Sequence, residues 1–160
     1  MSEIHPFLWY ESGAEEAADR YVEIFGGSIL GKWYWGPGGA GPEGSLISVR
    51  FTIDGREYEA FNGGPNATFN DSFSMWVTVE SQEELDRIWD ALTADGGTGV
   101  ACGWLKDPWG VRWQIVPNIL GELMNDPDPG RSSRATQAML ASVKLDFAAL
   151  RAAADGESSE

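Results

Sequence analysis

The chain reads as one folding unit written twice, and this pseudo-repeat constrains it more than any single motif does. In the first half the apolar run Phe7-Leu8-Trp9-Tyr10 suits a strand. Ala14, Ala17, Ala18, Tyr21, Val22 and Phe25 then recur at helical steps, predicting an amphipathic helix over 14–25 with Ser12 as its N-cap and Gly26-Gly27 as its stop. Ser28 to Trp35 is strand-like, Leu46 to Ile53 alternates, Asp54-Gly55 signals a hairpin turn, and Arg56 to Asn62 returns as a further strand. The order is βαβββ. About 65 to 70 residues on, the pattern restarts. Phe73 to Val79 alternates, Gln82 to Leu92 places Leu85, Ile88, Trp89 and Leu92 on one helix face, and Asp107-Pro108-Trp109-Gly110 turns a hairpin between Cys102 and Val116.

Between the halves of the first module, residues 36–44 are dominated by glycine and proline and form an irregular loop. It neither follows the GxxxxGK[ST] spacing nor opens a helix, so it is not read as a phosphate cradle. After the second module, Asn118 to Met124 predicts a short helix stopped by Asp126-Pro127-Asp128-Pro129-Gly130. Two amphipathic helices follow, one burying Ala135, Met139 and Leu140, the other Phe147 and Leu150 behind an Asp146 N-cap. This gives a domain over 1–117 with modules at about 4–66 and 70–117, a helical extension over 118–154 and a disordered tail over 155–160.

Charge and cysteine content narrow the function. A net charge of −14 repels polyanions, so nucleic acid is not an expected partner. Cys102 is the one cysteine, which excludes an intrachain disulfide or a structural zinc cluster and suits a reducing compartment. It is expected to be a buried strand residue, not a nucleophile, and Asp107 is assigned to the turn. With no long apolar run and no signal-peptide pattern, a cytoplasmic protein without membrane contact is expected. Eight tryptophans in so small a domain predict that some line a ligand cavity or an interface.

The residues from Ile4 to Phe25, Asn62-Gly63-Gly64-Pro65, Cys102-Gly103-Trp104-Leu105-Lys106-Asp107 and Trp113-Gln114-Ile115-Val116-Pro117 resemble the PhnB-like branch of the vicinal oxygen chelate superfamily. This is the glyoxalase, bleomycin-resistance and dioxygenase group, and sequences of the branch often carry the label 3-demethylubiquinone-9 3-methyltransferase. The resemblance implies an α+β fold of paired βαβββ modules whose curved sheets surround a cavity, within a homodimer. It also implies four metal-ligand positions, which here hold Pro6, Asn62, Ser74 and Gln114. None is a good ligand for a divalent catalytic metal, so no metal and no cofactor is expected. A one-residue slip brings in His5, the one histidine, and Glu59. Methyl transfer is not expected either, because no strand is followed by GxGxxG and a helix.

Period two then groups Arg112, Gln114 and Val116 on the cavity side of the last strand and Trp113 and Ile115 under a helix. The same rule gives Ser74, Trp76 and Thr78 to the cavity, with Phe73, Met75, Val77 and Val79 on the helix side, and groups Asn62 with Ala60 and Tyr58. The expected ligand-binding set is Asn62, Ser74, Trp76, Trp104, Arg112 and Gln114. A small polar or aromatic molecule suits such a set. Trp104 and Trp109 either rim the cavity or sit in an interface. Two alternatives stand beside this reading: a metal-dependent lyase, isomerase or dioxygenase using His5 and a carboxylate, and a dimeric interaction protein without a ligand.

Overall fold

The computed structural model describes residues 3–157. The chain forms two compact units, the first ending at Phe69 and the second beginning at Asn70. The first contains β1 (Phe7–Tyr10), α1 (Ala14–Phe25), β2 (Gly27–Tyr34), β3 (Leu46–Ile53) and β4 (Arg56–Asn62). The second contains β5 (Met75–Val79), α2 (Gln82–Thr93), β6 (Thr98–Gly99), β7 (Trp104–Lys106) and β8 (Arg112–Pro117), then α3 (Leu120–Met124), α4 (Pro129–Ala141) and α5 (Phe147–Asp155).

Each unit holds a four-stranded sheet, ordered β1-β4-β3-β2 in one and β5-β8-β7-β6 in the other. The permutation is the same: the first strand of each module lies parallel to the fourth, and antiparallel pairings complete the sheet. The fold is therefore α+β, built of paired βαβββ modules with a C-terminal helical extension. The step from Phe7 to Met75 equals that from Ala14 to Gln82, so the sequence repeat is a repeat of topology.

Alternation decides which face of each sheet is buried. Leu8, Tyr10, Val49, Phe51, Ile53 and Ala60 are buried on the side of α1, which answers with Ala14, Ala17, Ala18, Tyr21 and Ile24. In the second unit Met75, Val79, Leu105, Trp113 and Ile115 do the same against Leu85, Ile88, Trp89 and Leu92 of α2. Each large apolar side chain so buried contributes about 1.5–3 kcal/mol.

The extension fastens to α2. Lys144 bridges Asp86 at 2.7 Å and Asp90 at 3.5 Å, and the backbone N–H of Phe147 donates to Gln82 Oε1 at 3.0 Å. Hydrogen bonds from Lys144 and Gln82 hold the Asp86 carboxyl below its ordinary range.

Several local expectations change. The N-cap of α1 is Gly13 in the left-handed region, not Ser12. Asp126 to Gly130 not only stops α3 but starts α4, with Asp128 as N-cap and Pro129 inside the first turn, where its missing N–H costs nothing. Leu140 is exposed and not part of a buried face, Phe73 is exposed ahead of β5, and Cys102 is half-buried in a turn at φ 54° instead of in a strand. Helix α5 takes in Asp155 and is capped by Gly156, where the irregular tail was expected to begin; residues 158–160 of that tail lie outside the described residues. Among the described residues no helix is long and apolar enough to cross a membrane.

Candidate functional site

Each sheet has a face turned away from its helix, and the register fixes what stands on it. In the first sheet Phe7 pairs with Glu59, Trp9 with Phe61, Arg50 with Glu59 and Ser48 with Phe61, so these side chains share the open face. Glu59 is its hub. The carboxylate accepts from the Ser48 hydroxyl at 2.7 Å and lies 3.4 Å from His5 Nε2 and 3.5 Å from the Arg50 guanidinium. Arg50 in turn lies 5.7 Å from the centre of the Trp33 ring.

Tyr58, Ala60 and Asn62 fall on the opposite side from the one their spacing suggested. Ala60 is fully buried under α1, and Tyr58 stacks on buried Phe51 with its phenol pushed up by burial. The parity of β4 is thus reversed, because Ala60 pairs with buried Leu8 and Val49 on the helix side. Asn62 spends its Oδ1 on the backbone N–H of Ala14 at 2.9 Å, doing for α1 what the Gly13 cap has no side chain to do. Asn62→Ala is expected to cost about 1 kcal/mol, read as a lower urea midpoint with an unchanged slope.

His5 and Glu59, the pair reached by a one-residue slip, do meet. They offer a divalent metal one imidazole and one carboxylate, and the carboxylate is already shared with a guanidinium, whose charge opposes a cation. Among the described residues no group of three or more His, Cys, Asp and Glu side chains is placed to hold a metal ion. The donors do not fit a tightly held catalytic metal.

The second sheet gathers five of the six residues expected in the site. Trp76 and Trp104 both pair with Gln114, from the two strands flanking β8, so an indole, an amide and an indole stand in one row across the open face. Lys106 pairs with Arg112 in the next row on the same face. Gln114 Nε2 donates to Ser74 Oγ at 2.8 Å, and Trp76, 61% exposed, donates its indole N–H to Thr78 Oγ1 at 3.0 Å. Arg112 donates to Asp71 at 2.5 Å and to the Gly110 carbonyl at 2.8 Å. The set can therefore stack a flat group and answer it with amide, hydroxyl and guanidinium donors. Lys106 was absent from the expected set, although its two-residue offset from Trp104 was a signal for it.

Asp107 holds this face in register from beneath. It is 1% exposed and accepts from the backbone N–H groups of Trp109 and Val111 and from the indole N–H of Trp113, each at 3.0 Å. That fixes the turn between β7 and β8, and with it the alignment of Trp104 against Gln114.

Known proteins share this architecture. The family described as 3-demethylubiquinone-9 3-methyltransferase matches residues 2–116. The solved structure described as a 3-demethylubiquinone-9 3-methyltransferase-type PhnB protein from Bacillus cereus is 32% identical with a TM-score of 0.65, over 72% of this chain and 99% of its own. Protein PA1353 of Pseudomonas aeruginosa is 20% identical with a TM-score of 0.57, over 73% of this chain and 98% of its own. No curated protein matches the chain. Helices α3 to α5 lie beyond the stretch the family matches. The chain belongs to the PhnB-like family of the vicinal oxygen chelate (glyoxalase and bleomycin-resistance) superfamily.

Proposed function

We propose that the chain binds a small polar or aromatic molecule on the open face of its second sheet, through Ser74, Trp76, Trp104, Arg112 and Gln114, without a metal quartet. The observation that carries this is the row of Trp76, Gln114 and Trp104, a majority-exposed indole and its neighbours kept on one face by strand register. An exposed tryptophan tethered by its own hydrogen bond has lost much of the side-chain freedom that ligand stacking would otherwise cost. Asn62 is left out of the binding set because its amide is engaged at α1.

The name of the matched family speaks of methyl transfer. The glycine-rich segment 36–44 lies between β2 and β3 and opens no helix, so it supports no nucleotide-type cofactor seat. A homodimer in the cytoplasm remains our reading of the assembly, supported by the exposure of Phe7, Trp33 and Tyr34; light scattering giving a monomer mass would overturn the dimer.

The test is an NMR titration of 15N-labelled full chain with a panel of small aromatic and carboxamide fragments, following the indole N–H resonances. Trp76 and Trp104 are expected to shift, and Trp76→Ala with Gln114→Leu is expected to weaken binding at least tenfold, as the loss of about 1.4 kcal/mol requires. Fragments that move neither indole would favour an interaction protein without a ligand. Metal analysis of dialysed protein checks the other alternative: about one ion per chain, lost in His5→Ala, would move the site to His5 and Glu59.

A further inference from the structure

The rows on the second sheet differ in chemistry as well as position. Trp76, Gln114 and Trp104 span β5, β8 and β7, and with strands about 4.8 Å apart the two indoles stand on backbones roughly 10 Å apart with the amide between them. The neighbouring row, two residues along, carries Lys106 and Arg112, about 6.7 Å away. In a chain of net charge −14, two cations side by side on one sheet face are a local reversal of sign. The acid that answers Arg112 is Asp71, whose side chain is 78% exposed and which reaches the guanidinium from the segment before β5. Asp71 holds the position a ligand carboxylate would take.

Resting on the binding face argued above, we propose that its ligand class is an aryl-alkanoate: a flat ring laid across Trp76, Gln114 and Trp104, with a carboxylate about two carbons from the ring displacing Asp71 at Arg112 and Lys106. The ring uses stacking and the amide, neither of which distinguishes substituents strongly. The acid uses a charge-assisted bond to a planar guanidinium, which does. A benzoate is too short to reach from one row to the next, whereas a phenylpropanoate spans the gap.

The experiment titrates the full chain with 3-phenylpropanoate and with its neutral amide, by calorimetry and by the indole resonances. The acid is expected to bind about tenfold tighter than the amide at low salt, and less so at high salt. Arg112→Gln should remove the preference, bringing the acid's affinity down to about that of the amide. Trp76→Ala, at an exposed position that the fold does not need, should weaken both. Asp71→Asn should tighten the acid several-fold and leave the amide alone, because the internal competitor is gone. Equal binding of acid and amide, or an Asp71→Asn chain no tighter for the acid, overturns the carboxylate seat while the binding face survives. If neither probe binds, the aryl-alkanoate assignment falls, and the fragment panel separately decides the broader reading.

Discussion

Asp107→Ala is expected to destabilise the chain by about 3–5 kcal/mol, at the far end of what a single substitution does to a domain of this size. The carboxylate is buried, and the substitution leaves the N–H groups of Trp109, Val111 and the Trp113 indole without the acceptor they share. A buried donor stripped of its partner costs about 1–3 kcal/mol, because water cannot replace what was removed. At about 2–4 °C per kcal/mol for a chain of this size, the melting temperature should fall by roughly 10 °C. Asp107→Asn should cost less. It keeps one oxygen for the Trp109 and Val111 backbone pair but turns an amide N–H toward the Trp113 indole, losing one bond of the three. Thermal denaturation of both variants checks this, and a loss below about 1 kcal/mol for alanine would show that Pro108 and Gly110 alone hold the turn.

The repeat was legible because hydrophobic periodicity is a local signal that the fold then obeys. The strand limits of Leu46–Ile53 and Arg56–Asn62 follow from alternation and the Asp54-Gly55 turn, and both turn residues adopt positive φ, 48° and 70°. The open face of β8 was legible for the same reason, since Trp113 and Ile115 had to go under α2.

The face of β4 was not. Its helix-facing side ends in Asn62, a polar residue, and its open side carries the aromatic Phe61, so polarity alone points the wrong way. Only pairing with Leu8 and Val49 resolves it, and pairing is a non-local fact. The same holds for the first turn of α1. Ser12 is the better local cap by residue type, yet the acceptor comes from Asn62, 48 residues away in sequence. A cap borrowed across the sheet leaves no mark within the helix it serves.

Gly63→Ala is expected to cost about 2–4 kcal/mol and to disturb the open face of the first sheet. A methyl group at Gly63 would lie 2.1 Å from Trp9 Cε2 and 2.5 Å from Phe61 Cε1, distances no packed side chain tolerates. Trp9 cannot simply swing aside, because its indole N–H donates to the Gly64 carbonyl at 2.9 Å and its ring meets Phe61 edge-on with centroids 5.0 Å apart. Moving the indole therefore forfeits a hydrogen bond worth about 1 kcal/mol, and overpacking of the aromatic pair adds about 1–3 kcal/mol. Asn62-Gly63-Gly64 thus acts as one joint: the asparagine ties β4 to α1, the first glycine admits the Trp9 ring, and the second, at φ 78°, presents the carbonyl that holds it. Trp9 and Phe61 pair on the same face as Glu59, so the indole resonance of Trp9 should shift in Gly63→Ala, and a Trp9 resonance left in place would show that the ring accepts the methyl group without moving.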